Sequence, residues 1–367
     1  MAGKITKRAH NFNPGPAAMP LAVLERMRDE LLSYGGAGMS VMELSHRSAE
    51  FEAINDKAEQ SLRRLLGIPA EYAVVFLQGG ASLQFAMVPM NFAAEGKPVD
   101  VLHTGAWTAK AIEEVKKVAD CRLAATGEPQ KFTRLPKASE ISFDPNASYV
   151  HICTNNTIEG TQWHSIPQTG TVPVVADMSS DIASRPVDVK RFALIFAGAQ
   201  KNLGPSGVTV AIVRRELADR GSEKVAKILQ YRTFIKDKSL YNTPPTFGVY
   251  AMGLVLDWIE ELGGLAAIEK QNEAKAKLLY DAIDATSYYK CPVEQDSRSR
   301  MNIVFRVAGG DEAIEKKFVK EAEAAGLVGI KGHRSVGGMR ASLYNAVTID
   351  AVQALVSFMR EFERKNG

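Results

Sequence analysis

The stretch VPVVADMSSDIASRPVDVKRFALIFAGAQKNLGPSGVTVAIV, residues 172–213, decides the fold because it holds three apolar runs separated by short polar segments. The runs cover residues 172–177, 192–197 and 208–213. Each is apolar at successive positions, so both sides of an extended chain would be buried. Such runs are typical of strands inside a mostly parallel sheet that is covered on both faces. The stretch therefore predicts the centre of a buried sheet.

Three earlier apolar runs extend this sheet: AVVFL at 73–77, VDVLH at 99–103 and YVHIC at 149–153. Helical stretches lie between several of the runs, at 82–93 and 106–118. Strands that alternate with helices predict an α/β architecture in which helices pack on both faces of the sheet.

The pattern changes after about residue 246, where helices predominate. In order along the chain, the segments are a long helical stretch to about residue 285 with a break near Gly263 and Gly264, a strand NIVFRV at 302–307, a charged helix at 311–325 and an amphipathic helix at 348–363. We expect a large α/β domain over residues 16–260. A smaller α+β domain is expected from residues 1–15 and 261–367, because the N-terminal segment is too short to fold alone.

Composition excludes several classes of function. The chain of 367 residues is 46% hydrophobic and 24% charged, with a net charge of +3 and no basic arm, so neither nucleic acid nor a membrane surface is an expected partner. Cys121, Cys153 and Cys291 show no paired spacing, which argues against disulfides and against a metal site. No apolar stretch approaches the ~18 residues that cross a bilayer. These features predict a cytoplasmic location.

An acid and a lysine follow neighbouring runs of the central stretch. Asp177 ends one apolar run, and Lys201 follows the next after the small residues AGAQ. Ligand sites of open α/β sheets form at the carboxyl ends of strands, so both side chains are expected in one crevice. Pyridoxal phosphate needs this pair: an amine for a Schiff base, and a carboxylate that keeps the pyridine nitrogen protonated. The same residues are also compatible with a helix-capping aspartate and a surface lysine.

Two more predicted strand ends carry residues that suit this cofactor. LQGGASLQF at 77–85 opens a helix after a Gly-Gly turn, and free backbone amides at a helix N-terminus bind phosphate. The stretch is not a P-loop, because the lysine of that motif is missing. HTGAW at 103–107 places Trp107 where its indole can stack on a ring. A Gly-Gly turn alone is more often a tight loop, and a single tryptophan is more often part of a core.

The chain resembles the phosphoserine aminotransferases, a family of class V, fold-type I pyridoxal-phosphate transaminases, nearly from end to end. The motifs that carry the resemblance are NFNPGPA at 11–17, ELSHRS at 43–48, LQGGASLQF at 77–85, HTGAW at 103–107, NNTIEG at 155–160, ADMSSDI at 176–182, AGAQKN at 197–202, NTPPT at 242–246 and KGHRSVGGMRASLYNA at 331–346. The resemblance implies a large domain with a mostly parallel seven-stranded sheet flanked by helices, and a smaller α+β domain.

The resemblance also implies the cofactor residues. Lys201 matches the Schiff-base lysine, Asp177 the partner of the pyridine nitrogen, Trp107 the stacking aromatic residue and Thr157 the hydroxyl that contacts the ring oxygen. The remaining matches are phosphate contacts, and they are Ala81, Ser82, Gln200, Asn242 and Thr243. In the family, residues matching Asn242 and Thr243 reach the cofactor from the neighbouring subunit, so the resemblance implies a homodimer with shared active sites.

The implied substrates are glutamate, 3-phosphohydroxypyruvate and phosphoserine, which all carry two acidic groups. Separate cationic side chains would have to recognise these groups, and arginine offers a bidentate fork for each. The family pattern assigns Arg340 to the substrate carboxylate. It assigns the substrate phosphate to two His-Arg pairs, His46–Arg47 and His333–Arg334, some of them from the partner chain. Surface ion pairs are the plain alternative for a single arginine. The family also has members that act on phosphorylated hydroxythreonine in pyridoxine biosynthesis, and the residues do not separate the two branches.

Four other functions fit less well. A cysteine desulfurase needs an exposed reactive thiol, whereas Cys153 ends a predicted buried strand. Alanine–glyoxylate transamination would not need two His-Arg pairs, and a non-catalytic pyridoxal-phosphate protein would carry an additional binding domain. A nicotinamide dehydrogenase would show G-x-G-x-x-G after an early strand, and that motif is missing.

Overall fold

A seven-stranded sheet forms the centre of the larger part of the molecule. The computed structural model describes residues 8–367. Over these residues the strands are β1 His10–Asn11, β2 Tyr72–Leu77, β3 Val99–His103, β4 Cys121–Thr126, β5 Val150–Cys153, β6 Asn155–Asn156, β7 Thr161–Gln162, β8 Val174–Asp177, β9 Leu194–Gly198, β10 Thr209–Arg214, β11 Tyr289–Lys290, β12 Asn302–Val307, β13 Leu327–Val328 and β14 Met339–Ser342.

Helices cover both faces of this sheet and form most of the C-terminal part. The α-helices of the described residues are α1 Leu21–Asp29, α2 Ala49–Leu66, α3 Gly80–Phe92, α4 Ala106–Val115, α5 Arg215–Asp219, α6 Tyr231–Lys236, α7 Thr246–Glu261, α8 Gly264–Asp284, α9 Glu312–Ala324 and α10 Ile349–Asn366. No helix among residues 8–367 combines the length and the apolar character that crossing a membrane requires.

The central sheet has the order β2-β10-β9-β8-β5-β3-β4. Only β10 runs antiparallel to its neighbours β2 and β9, and the other strand pairs are parallel. The predicted α/β fold with a mostly parallel seven-stranded sheet is therefore confirmed, and all six predicted runs are strands. The seventh strand, β4, escaped the apolar pattern because it lies at the sheet edge, where Leu123 is 45% exposed.

Burial on both faces explains why the strand sequences are continuously apolar. Every residue of β2, β5, β8 and β9 is buried. One apolar cluster packs between the sheet and the helices α2 and α7, and another packs beneath α3 and α4. Helix α2 begins after Ser48, whose hydroxyl accepts the Phe51 N–H, and ends at Gly67 with φ 60°.

The C-terminal part has its own sheet and core. Strands β11, β12 and β14 form an antiparallel sheet, and α8, α9 and α10 contribute to the apolar cluster around it. The N-terminal segment joins this part: β1 pairs with β13 in parallel, and Phe12 lies fully buried in the same cluster. The first seven residues of the segment assigned above to the smaller domain lie outside the described residues.

Buried polar contacts join β12 to β6, and join the exit loop of β14 to α8 and to the loop after β9. The Asn155 amide donates to Asn302 Oδ1 at 2.7 Å, and the Asn345 N–H donates to Asn202 Oδ1 at 3.0 Å. Lys275 of α8, buried, donates to the carbonyl oxygens of the two residues that follow β14, at 3.1 and 2.9 Å. The Asn345–Asn202 bond places the exit loop of β14 beside the loop that carries Lys201.

We expect His151, in the middle of β5, to make the fold sensitive to mild acid. Its ring packs on Phe196 and Phe85, with centroids 6.2 Å from each, and burial lowers its pKa to about 4. An unfolded histidine titrates near pH ~6.5, so protons bind the unfolded chain more strongly, and stability falls as the pH drops below that value. The free energy of unfolding, measured by urea titration, should fall between pH 7 and pH 5, and His151→Leu should make that fall smaller by about 2 kcal/mol. Equal pH dependence in both proteins would contradict this cause.

Candidate active site

Asp177 and Lys201 lie at neighbouring strand ends of the central sheet. Asp177 is the last residue of β8 and stands in register with Phe196 of β9. Lys201 follows three residues after Gly198, the last residue of β9. The positive charge of Lys201 acts on the Asp177 carboxyl and lowers its pKa, although burial raises that pKa more. The structure therefore brings the amine and the acid to one edge of the sheet.

The Asp177 carboxylate is held in a fixed direction. It is 4% exposed, and its Oδ1 accepts the Ser179 N–H at 2.9 Å. The Ser179 hydroxyl in turn accepts the Gly198 N–H at 3.2 Å, which ties the end of β8 to the end of β9. A buried carboxylate with so few partners is costly unless a cation or a proton donor completes its surroundings.

Three separate motifs converge on the Lys201 side chain. Its Nζ donates to Thr157 Oγ1 at 3.0 Å and lies 5.5 Å from the centroid of the Trp107 ring. Gly15 borders the aliphatic stem, since a Cβ on Gly15 would lie 3.3 Å from Lys201 Cγ. The lysine amine is thus flanked by a hydroxyl and an aromatic face.

Thr157 is positioned by a short hairpin. Strands β6 and β7 pair as an antiparallel hairpin whose turn contains Thr157, Glu159 and Gly160. Gly160 has φ 79°, and a Cβ there would lie 2.7 Å from Val304 Cγ2, so the turn packs closely on β12 only because this residue is glycine.

The Gly-Gly turn after β2 leaves unused backbone donors. Helix α3 begins at Gly80, its N-cap residue is Gly79 with φ 85°, and no side chain caps it. The first N–H groups of a helix, here including those of Ala81 and Ser82, have no acceptor within the helix. Their direction and the helix dipole favour an anion such as a phosphate. Gln200 is the residue before Lys201 in the chain, and its side-chain oxygen lies close to Gly198.

Glu159 is a site residue that sequence reasoning missed. Its Oε1 accepts the N–H of Ala106, the first residue of α4, at 2.8 Å, next to Trp107. Gly105 makes room for it, because a Cβ on Gly105 would lie 2.5 Å from the Glu159 carboxyl carbon. Its Oε2 is buried and has no hydrogen-bond partner among the described residues. Its place in NNTIEG, two positions after Thr157, was the available signal.

Cationic side chains come from β14, from its preceding loop and from α4. Arg340 is 6% exposed; burial lowers its pKa, while Tyr344 and Glu159 raise it. Burial also lowers the pKa of His333, and the charges of Arg340, Arg334 and Lys110 lower it further. Lys110, whose Nζ lies 4.9 Å from the Trp107 ring centroid, was also missed. These positive charges act on one another, and Arg340 adjoins the lysine site because its Nη1 lies 3.5 Å from the Thr157 carbonyl oxygen. A set of like charges of this kind favours anion binding.

Four predicted site residues form a separate outer group: His46, Arg47, Asn242 and Thr243. The Asn242 amide donates to Gln78 Oε1 at 3.1 Å, and the Thr243 hydroxyl lies 3.2 Å from His46 Nδ1. Arg47 Nε donates to His46 Nε2 at 3.4 Å. The group thus adjoins the Gly-Gly turn through Gln78.

The outer group is not bonded to the amine or to the cationic group. Among the hydrogen bonds of residues 8–367, none joins it to Lys201 or Arg340. Arg47 instead lines a cleft of about 600 Å³ with residues of α2 and of the segment 236–241. Within one chain, the two His-Arg pairs therefore lie in different surroundings.

The cysteines show no reactive setting. Cys153 is buried at the end of β5, and burial raises the pKa of its thiol well above the usual value. Burial likewise raises the pKa of Cys121 and Cys291. A thiol that stays protonated is a poor nucleophile, which argues against desulfurase chemistry.

Similarity to known proteins agrees with this geometry. The pattern of the class-V aminotransferase family matches residues 9–355, so the chain belongs to the class-V aminotransferases. Within that family, the phosphoserine aminotransferase of Geobacillus kaustophilus is 54% identical over 360 residues, covering 98% of this chain and 99% of the relative.

Solved structures give the same result. The phosphoserine aminotransferase from Bacillus circulans subsp. alkalophilus superposes with a TM-score of 0.97 at 52% identity, covering 99% of this chain and 100% of that one. A structure that shows radiation damage of the Schiff base in phosphoserine aminotransferase has a TM-score of 0.96 at 49% identity, covering 98% and 100%. The predicted resemblance to this family is confirmed.

Proposed function

We propose that the chain is a pyridoxal-phosphate-dependent phosphoserine aminotransferase. It transfers an amino group reversibly between L-glutamate and 3-phosphohydroxypyruvate, giving 2-oxoglutarate and O-phospho-L-serine. The observation that carries the proposal is the convergence of Lys201, Asp177, Trp107 and Thr157 at one sheet edge, in a chain that matches phosphoserine aminotransferases over its whole length.

The residues present fit the cofactor. Its ring would lie between Trp107 and the end of β8, where the buried Asp177 needs a proton donor. Its phosphate would take the uncapped start of α3 with Ala81, Ser82 and Gln200, and Thr157 would contact the ring oxygen. When bound, pyridoxal phosphate supplies an electron-accepting ring that stabilises a carbanion at the substrate α-carbon.

Lys201 has two tasks in this proposal. Its Nζ would hold the cofactor, and as a free amine it would carry a proton to and from the substrate α-carbon. Thr157 Oγ1 accepts a hydrogen bond from Nζ at 3.0 Å and so helps to orient the amine. Asp177, fixed by the Ser179 N–H, would stay ionised and keep the pyridine nitrogen of the cofactor protonated.

The cationic residues divide the substrate between them. Arg340, buried and without a carboxylate partner among the described residues, receives the substrate carboxylate. His333 and Arg334, supported by Lys110, receive the phosphate or the side-chain carboxylate of glutamate. A cluster of separate cations tolerates either anion, as an exchange between these two substrates requires.

The outer group supports a homodimer with shared sites. Asn242, Thr243, His46 and Arg47 make no bond to Lys201 or Arg340 of their own chain. In the proposal, Asn242 and Thr243 of each chain contact the cofactor phosphate in the partner's site, and His46 and Arg47 contribute to substrate phosphate binding there. A cytoplasmic location accords with substrates of this kind.

Lys201→Ala should abolish steady-state transamination, because its amine is proposed both to hold the cofactor and to move the proton, and the Thr157 hydroxyl and the Trp107 ring adjoin that amine. The measurement couples glutamate to 3-phosphohydroxypyruvate and records the visible absorbance of the protein-bound cofactor. Native protein should lose that absorbance with glutamate and regain it with the keto acid. Lys190→Ala, an exposed lysine of the same stretch, serves as the control and should keep full activity. Retained turnover in Lys201→Ala would overturn the assignment.

Arg334→Ala and Arg340→Ala should separate the two anion sites. Loss of a charge-assisted hydrogen bond costs about 1.5–3 kcal/mol, or roughly 10- to 100-fold. Arg334→Ala should lower kcat/KM for 3-phosphohydroxypyruvate by that factor and spare hydroxypyruvate, which lacks the phosphate. Arg340→Ala should lower kcat/KM for both keto acids alike. Equal losses in the two variants for the two keto acids would refute this division.

A further inference from the structure

Glu159, whose Oε2 is buried, lies two residues after Thr157, and Arg340, the proposed ligand of the substrate carboxylate, contacts the Thr157 carbonyl oxygen. Glu159 is anchored by one oxygen only: Oε1 accepts the Ala106 N–H at 2.8 Å, and Oε2 has no partner among residues 8–367. The carboxyl group packs directly on Gly105, where a Cβ would lie 2.5 Å from its carboxyl carbon. The carboxylate is therefore fixed at the start of α4 and cannot swing freely toward another cation.

The guanidinium of Arg340 has few hydrogen-bond partners. Its Nε is buried without a hydrogen-bond partner among the described residues, and Nη1 reaches only the Thr157 carbonyl at 3.5 Å. Within residues 8–367, no carboxylate forms a salt bridge with Arg340 under 4.0 Å. Its donors thus remain free for an incoming carboxylate.

The two groups nevertheless influence each other. The negative charge of Glu159 raises the pKa of Arg340, and Arg340 lowers the pKa of Glu159 against the larger effect of burial. The two charges are thus close enough to interact electrostatically. The contacts of Glu159 with Ala106 and Gly105 keep its carboxylate from forming an ion pair with Arg340. In a site with little water, charges that do not touch still act strongly on each other.

We propose that Glu159 sets the carboxylate affinity of the site: its fixed negative charge partly offsets that of Arg340 and keeps substrate carboxylates from binding too tightly. It is a positioning and specificity residue rather than a catalytic one. The charges of Lys110, Arg334 and Arg340 all act on His333, and without an opposing charge such a set of cations would retain its anionic products. The inference deepens the proposed function, because it takes Arg340 as the carboxylate ligand.

The test uses full-length, cofactor-loaded protein and succinate, a dicarboxylate with no amino or keto group to react. Glu159→Gln keeps an oxygen that can accept the Ala106 N–H and removes the charge. Calorimetry at about pH 8, where glutamates are ordinarily ionised, should show Glu159→Gln binding succinate about five- to tenfold more tightly than the native protein. The KM for L-glutamate should fall by a similar factor.

Three matched variants separate charge from structure. Glu159→Asp keeps the charge and should stay within about twofold of the native affinity. Glu361→Gln, which removes an exposed carboxylate on α10, should not change succinate binding. In an Arg340→Ala background, Glu159→Gln should have a clearly smaller effect, because the main action of the charge is to offset that guanidinium.

Unchanged or weaker succinate binding in Glu159→Gln would overturn the inference, as would an equal effect with and without Arg340. Circular dichroism and thermal melting of each variant show that the chain is folded, so a loss of affinity cannot be mistaken for unfolding. The proposed function can fail independently. If Glu159→Gln binds succinate more tightly than native protein as expected, but native protein does not convert 3-phosphohydroxypyruvate, the reaction is refuted and the role of Glu159 stands.

Discussion

The buried carboxylate of Asp177 is the constraint on which the rest of the site depends. A charge in that position is unfavourable in a protein interior, and only a few groups compensate for it. The Ser179 N–H supplies one hydrogen bond, and the Lys201 amine supplies a nearby positive charge. The parallel sheet makes this arrangement possible, because β8 and β9 end side by side and their following residues face one crevice.

The crevice is completed by elements that lie far apart in sequence. The β6–β7 hairpin brings Thr157 to the lysine and Glu159 to the start of α4, and α4 presents Trp107. Strand β14 adds Arg340 from the C-terminal part, held in place by the hydrogen bonds that Lys275 and Asn345 make to and from its exit loop. Because these polar contacts are buried, the cationic group and the lysine keep a defined relation to each other.

The sequence predicted the elements whose cause is local. Continuous apolar runs marked six strands because those strands are buried on both faces, and β4 was missed because an edge strand is half exposed. Asp177 and Lys201 followed from their positions after such runs. Glu159 and Lys110 did not follow, since their roles rest on contacts with Ala106, Arg340 and His333 that only the folded chain creates. The contact of Asn242 with Gln78 spans 164 positions and has no local signal either.

The most direct test of the central claim is the protonation state of the cofactor ring. Nitrogen-15 NMR of protein loaded with pyridoxal phosphate labelled at the pyridine nitrogen reports whether that atom carries a proton. If Asp177 acts as its partner, the native protein shows a protonated nitrogen at neutral pH and Asp177→Asn shows an unprotonated one. An unprotonated nitrogen in the native protein, or the same signal in both proteins, would contradict the account.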